Sequence, residues 1–233
     1  MPGIGLDLGA GKCCVASVRA GAVTVLPNAH GDKTTPSFVA FTDSRSLVGS
    51  DARDQAALNA TNTVYGIKTV LGRSFNKNHI HDKFIRNFLP KFSMTEKGSL
   101  FEVEYRNKKL TLHAEEITAL LIAKMKSVAE DNLESLVTNA VISVPVHFSN
   151  SQRQATLDAA RITGLKNVTL INSTTAAAIA YWDQHPSEKD CVAIVDIGAS
   201  SQSLAIVSIE NGTVKVLEAY GGSTWEAQRV FLL

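Results

Sequence analysis

Two stretches of this chain are copies of one another. Residues 4–26 read IGLDLGAGKCCVASVRAGAVTVL, and residues 193–217 read AIVDIGASSQSLAIVSIENGTVKVL. Each has an apolar run, then Asp-Leu/Ile-Gly-Ala, then a second strand-like run, a turn, and Gly-x-Val-x-Val-Leu. Asp7 aligns with Asp196, Gly9 with Gly198 and Gly21 with Gly212. Self-similarity of this kind marks a supersecondary unit used twice. Alternating apolar residues around a glycine-bearing turn predict three consecutive antiparallel strands in each copy. The second copy is longer by two residues, which the alignment puts in the turn before Gly212. Two related lobes follow, rather than two unrelated β-meanders.

Between the copies the chain changes character. Residues 36–41 (PSFVAF) read as a strand, 60–73 as an apolar-spaced run with Lys68 and Arg73, and 76–100 as polar and irregular. Residues 101–112 (FEVEYRNKKLTL) predict a hairpin turning at Asn107 and Lys108. From Ala114 to Leu133, Ile117, Leu120, Leu121, Met125 and Val128 recur at helical spacing, with Glu115 and Glu116 in the first turn. Residues 140–146 (AVISVPV) are a buried strand ended by Pro145, and 150–163 a helix stopped by Gly164. A short strand at 168–172 leads into the Ala-rich helix of STTAAAIAYW, with Ser173 or Thr174 as its expected N-cap. The order is three strands, helix, strand, helix, strand, helix and three strands again. It predicts an α/β fold with a first lobe at 1–185, holding an inserted subdomain at about 36–112, and the start of a second lobe at 186–233. The last residues, WEAQRVFLL, read as an amphipathic helix cut short. An apolar end of that kind suggests a truncated isoform, a gene fragment or an excised piece.

Composition narrows the partners. A formal charge of +1 over 233 residues leaves no long-range field for nucleic acid or anionic membrane. No apolar run approaches the length of about 20 residues needed for a membrane helix, and MPGIGLDLGAG has no basic leader. The three cysteines, Cys13, Cys14 and Cys191, make no disulfide framework. Cys13 and Cys14 alternate in a strand and read as small buried hydrophobes, not metal ligands. His79 and His81 have poor metal spacing, and all six histidines read as surface or structural.

The repeat carries the chemistry. A strand ending in Asp-x-Gly before a tight turn lets the backbone approach a phosphate, and successive N–H groups converge on the anion. The aspartate can hold magnesium, usually through water. Two such units face to face enclose a polyphosphate. The stretches IGLDLG, TTPSFVAFTD, IKTVLGRSF, VTNAVISVPVHFSNSQRQATLDAA and INSTTAAAIAYW, with others along nearly the whole chain, resemble the 70-kilodalton heat-shock chaperones of the actin-like ATPase superfamily. The resemblance implies an actin-like ATPase (ribonuclease H-like) fold, a complete first lobe plus the opening β-hairpins of the second, with ATP or ADP and magnesium in the cleft between lobes. It implies that Asp7 and Asp196 hold the magnesium through water. Gly9, Ala10, Gly11 and Lys12 would form one phosphate turn, and Gly198, Ala199, Ser200 and Ser201 the other. Lys68 takes the place of the lysine that positions the attacking water, although on its own it reads equally as a surface lysine. Pro145 and Arg153 take the places of the proline and arginine that relay nucleotide state to a neighbouring domain. Implied partners are J-domain co-chaperones and nucleotide-exchange factors. The implied role is protein folding under stress, in the cytoplasm and also the nucleus.

The chain departs from that family at specific positions. The family's Gly-Thr-Thr-aromatic becomes Gly9-Ala10-Gly11-Lys12, losing hydroxyls and gaining a positive charge. Its three glycines after the second aspartate become Gly198-Ala199-Ser200. Ala and Ser there are expected to be strained by positive φ, at about 1 kcal/mol per position. Ser201 can replace a threonine hydroxyl, while Ser203 replaces a carboxylate, and Gly-Gly-acid becomes Gly221-Gly222-Ser223. The sharpest change is Ser173, which stands where the family has the glutamate that organises magnesium waters and the attacking water. A neutral hydroxyl cannot supply that charge. Thr169 and His147 replace a basic residue and a tyrosine in the J-domain region, so those contacts are eroded. The functions that follow are a nucleotide-binding chaperone fragment with weak or absent hydrolysis and weakened cofactor binding, or, as the alternative, a pseudo-ATPase binding or regulatory module or a non-functional truncated isoform. An actin-like sugar kinase shares the fold, and VPVHFSNSQRQATLDAA and TAAAIAY argue against it.

Overall fold

The computed structural model describes residues 2–74, 90–96, 98–186 and 189–223. In chain order the strands are β1 (Gly3–Leu8), β2 (Lys12–Arg19), β3 (Ala22–Val25), β4 (Thr35–Pro36), β5 (Phe38–Phe41), β6 (Ser46–Val48), β7 (Thr63–Tyr65), β8 (Lys91–Thr95), β9 (Gly98–Tyr105), β10 (Lys108–His113), β11 (Asn139–Val144), β12 (Asn167–Asn172), β13 (Lys189–Ile197), β14 (Ser201–Glu210) and β15 (Thr213–Ser223). The helices are α1 (Ser50–Asp54), α2 (Ala114–Leu133), α3 (Asn150–Ile162) and α4 (Ser173–Gln184). Single 3-10 turns occur at Ala60–Asn62 and Ile67–Thr69.

The first copy of the repeat lies in a mixed sheet ordered β12-β11-β1-β2-β3, with β4 beside β2. β1 runs parallel to β11 and antiparallel to β2. Alternation along β1 sends Ile4, Leu6 and Leu8 into the core and leaves Gly5 and Asp7 on the other face. Ile117, Leu121, Met125 and Val128 of α2 close the same core with Val15 and Ile142, and α3 packs against α2. A capping box starts α3: the Gln152 N–H donates to Ser149 Oγ, and the Ser149 N–H to Gln152 Oε1. The second copy forms a separate sheet ordered β13-β14-β15. Its buried face, with Ala205, Val207 and Ile209, packs against Ala178, Tyr181 and Trp182 of α4.

Three local expectations are corrected. The hairpin in 101–112 turns at Arg106 and Asn107, both at positive φ, one residue earlier than expected. Segment 91–95 is a strand, with Phe92 packed 4.9 Å from Phe101; its interspersed polar residues obscured the alternation. The two extra residues of the second copy lengthen a strand and not a turn. β14 has ten residues and β2 eight, while Ala20-Gly21 and Asn211-Gly212 make matching two-residue turns at positive φ. The expected helical ending at 225–233 and the pair His79 and His81 lie outside the described residues.

Candidate functional site

The two Asp-x-Gly turns meet. A Cβ placed on Gly11 would lie 3.2 Å from Ala199 Cβ, so the turns of the two copies lie side by side with little room between them. Beside them opens a cleft of about 720 Å³, and nearly all the expected site residues line it: Asp7, Gly9, Ala10, Gly11, Lys12, Lys68, Ser173, Asp196, Gly198, Ala199, Ser200 and Ser201, with Pro145 at its wall. Arg153 does not line it. Its guanidinium instead donates to the carbonyls of Val146 and Phe148 and to Asn172 Oδ1 at 2.9 Å, with the Pro145 carbonyl at 3.5 Å. Pro145 and Arg153 are thus physically joined, at the junction between the strand-end turn and the start of α4.

The turns are shaped by their own backbone. At Gly198 the N–H donates to the Ser201 carbonyl at 2.8 Å. At Gly9 a Cβ would lie 2.2 Å from the Lys12 carbonyl oxygen, a distance no side chain survives. β4 and β5 brace the first turn: Ser37 Oγ donates to the Gly9 carbonyl at 2.7 Å, and the Ser37 N–H to Gly11 O at 3.0 Å. The expected strain at Ala199 and Ser200 is absent, because neither residue has positive φ. The second turn closes in ordinary backbone geometry, so Ala and Ser replace glycine there without that cost.

Each carboxylate is held by a serine. Ser143 Oγ donates to Asp7 Oδ1 at 2.7 Å, and Ser173 Oγ to Asp196 Oδ2 at 2.7 Å. Ser143 was missed in the sequence. Its signal was a single hydroxyl in the apolar run AVISVPV, on the strand whose parallel register sets it beside Asp7. The expected N-cap at Ser173 or Thr174 is also corrected. Asn172 occupies the cap position with extended backbone, Ser173 is the first helical residue, and its hydroxyl goes to Asp196. Lys68, on its 3-10 turn, has its ammonium 5.8 Å from the Phe148 ring centroid. Burial pushes its pKa down, against the pull of Asp7, Cys13 and Asp196. Cys13 lies behind the first turn with Sγ 3.2 Å from Ser37 Oγ, and burial raises its thiol to about 11. It is a packed thiol there, not a ligand.

Two lysines, two carboxylates and two glycine-bearing turns line one cleft. Among the described residues no group of three or more His, Cys, Asp or Glu side chains could cage a metal. Two carboxylates with one uncommitted oxygen each do suit magnesium, which keeps several waters and takes few protein ligands beside phosphate oxygens. At Gly9 the space a Cβ would take is filled by the Lys12 carbonyl, so the absence of a side chain serves closure of the turn itself.

Comparison with known proteins agrees. The family model described as "Hsp70 protein" matches residues 3–227. This chain belongs to the Hsp70 family. It is 42% identical to "Putative heat shock 70 kDa protein 7" of Homo sapiens over 95% of this chain and 60% of that protein. It is 38% identical to a heat shock 70 kDa protein of Ajellomyces capsulatus over 94% of this chain and 31% of that one. A Neurospora crassa heat shock 70 kDa protein is 39% identical, with 34% of its length covered. The chain therefore spans 60% of the human relative and about a third of the fungal ones. Its mixed sheet, paired turns and flanking helices are those of an actin-like ATPase lobe, and the Hsp70 ATPase-domain region implies nucleotide and magnesium binding by family.

Proposed function

We propose that this chain is a nucleotide-binding region of a divergent Hsp70 chaperone that holds ATP or ADP with magnesium and hydrolyses ATP slowly or not at all. The observation that carries this reading is the 2.7 Å hydrogen bond from Ser173 Oγ to Asp196 Oδ2. At the position where the family resemblance expects a glutamate, the side chain is neutral, short and already donating. Bound magnesium would neutralise phosphate charge, with Asp7 and Asp196 holding its waters. The Gly9–Lys12 and Gly198–Ser201 turns offer backbone donors, and Lys68 sits where a lysine would orient the attacking water. Ser173 brings no charge to that water. Loss of one such preorganised group costs about 100-fold or more in rate.

On this reading residues 1–185 are the first lobe, with an inserted subdomain at about 36–112, and 186–233 open the second. Pro145 and Arg153 are the proposed relay to a neighbouring domain, supported by their mutual contact. J-domain co-chaperones and nucleotide-exchange factors are the proposed partners, with contacts weakened at Thr169 and His147. The proposed location is the cytoplasm, and also the nucleus. Among the described residues no helix is long and apolar enough to cross a membrane.

The test is magnesium-dependent ATP binding followed by single-turnover hydrolysis, on the chain and on Ser173→Glu. Binding by both, with faster turnover in Ser173→Glu, supports the reading. Intact binding with no gain in turnover removes Ser173 as the limiting defect and favours a pseudo-ATPase module. Failure of both forms to bind ATP sinks the nucleotide-binding role.

A further inference from the structure

Lys12 is the one charged side chain within the first phosphate turn, and it has no counterpart in the second, where Ser201 aligns with it. Its carbonyl folds back over Gly9, its side chain is exposed, and the residue lines the cleft. Among the described residues it makes no ion pair, so its charge is uncommitted. Lys68 stands in the same cleft.

The opposing carboxylates are partly engaged. Among the described residues, only Asp7 and Asp196 line the cleft as acids. Each has one oxygen accepting a serine hydroxyl, from Ser143 and Ser173. A carboxylate that accepts a hydrogen bond has less negative potential left for a cation. Among the described residues, two ammonium groups against two carboxylates leave the cleft lining without net formal charge, so a metal-free phosphate chain meets no net repulsion from it.

We infer that this cleft binds the phosphate chain of a nucleotide without needing a divalent cation, because Lys12 supplies in the first turn positive charge that the metal would otherwise bring. The inference rests on the nucleotide-binding reading above and sharpens it. An ammonium within reach of phosphate oxygens makes charge-assisted hydrogen bonds, which are stronger than neutral ones. Ser173 belongs to the same device: a carboxylate at that position would restore net negative charge and with it the need for a metal.

The test is isothermal titration of the purified chain with ATP and with ADP, in magnesium and in excess EDTA. The expected Kd in EDTA lies within about fivefold of that in magnesium, less than 1 kcal/mol by the affinity relation. Lys12→Ala should then lose about tenfold or more in EDTA and distinctly less in magnesium, while Lys12→Arg keeps the wild-type ratio. Ser173→Glu should also widen the gap between the two conditions. Circular dichroism of each variant checks that it is folded. Wild-type binding that appears only with magnesium overturns the inference and leaves the nucleotide reading standing. Equal losses for Lys12→Ala in both conditions overturn the role of Lys12. An absence of binding in either condition overturns both the inference and the reading beneath it.

Discussion

Lys68 is where attraction and burial oppose each other most directly. Burial lowers its pKa, Asp7, Cys13 and Asp196 pull it back, and the net shift is downward. A charge held below its ordinary pKa is unfavourable in the folded state relative to the unfolded one. At pH values under the folded pKa that deficit is present in full. As pH rises through the folded pKa towards 10.5, the unfolded value, the folded state binds fewer protons and the deficit is relieved. Lys68→Met should therefore raise the Tm at neutral pH, with the gain shrinking on the alkaline side, while nucleotide binding falls. Thermal unfolding across that range, without nucleotide, measures it, and a lower Tm for Lys68→Met at neutral pH would contradict the sign. The cysteines give a second residue-scale expectation. Cys191 is exposed, Cys14 half-buried with its pKa raised by burial and then by Asp7, and Cys13 buried with its thiol near 11. Alkylation of the native chain at about pH 8, read by mass spectrometry, should label Cys191 first, Cys14 slowly and Cys13 only on unfolding. Residue types at the site were legible because the Asp-Leu/Ile-Gly-Ala repeat names its own chemistry. The serine clamps were not, because Ser143 reaches Asp7 through strand register and Ser173 reaches Asp196 across 23 residues of chain.

At the scale of elements, periodicity sufficed wherever one face was buried. α2 runs over Ala114–Leu133 with Ile117, Leu121, Met125 and Val128 inward, as its spacing predicts. Where a strand is short and mixed in polarity, as in β8, the alternation carries too few apolar residues to stand out. The hairpin turns show the limit on boundaries: Arg106 and Asn107 adopt positive φ without a glycine to announce it. The extra length of the second copy was assigned to the wrong place for a related reason. The two added residues pair within β14, so the turn at Asn211 and Gly212 keeps its length, and the β14–β15 register shifts once, between Ile206 and Val207, at a bulge on Leu217. One contact between elements makes a sharp prediction. Gly72 has φ of 63°, and a Cβ on it would lie 2.5 Å from Gln152 Cα and 2.7 Å from the Ser151 carbonyl oxygen. Those atoms are backbone of the first turn of α3 and cannot swing aside. Gly72→Ala should cost about 2–4 kcal/mol, from the left-handed backbone and the overpacking together. Urea unfolding reads this as a lower midpoint at unchanged slope, and a loss under about 0.5 kcal/mol would mean that the loop and α3 separate at little cost.

The molecule as a whole carries its duplication into an asymmetry of burial. In the first copy Leu6 and Leu8 are 4% exposed, covered by α2. Their counterparts beside Asp196 are Val195 and Ile197, which are 64% and 72% exposed. Leu204, the counterpart of buried Val15, is 40% exposed on the same face of the second sheet. The same pattern of apolar residues therefore builds a core once and an open face once, among the described residues. Sequence alone could not separate the two outcomes, since alternation reports which residues share a face and not what lies over it. A contiguous apolar face of this kind is unusual on a monomer and binds hydrophobic dyes. The folded chain should bind ANS with retained near-UV circular dichroism, which separates surface binding from a loosened core. The triple replacement Val195→Thr, Ile197→Thr and Leu204→Thr should remove most of that fluorescence. Each single replacement should change stability by no more than about 0.5 kcal/mol, because solvent already reaches these side chains. A larger loss of stability, or wild-type chain that binds no ANS, would mean that the face is covered in solution and that the second sheet buries both of its sides.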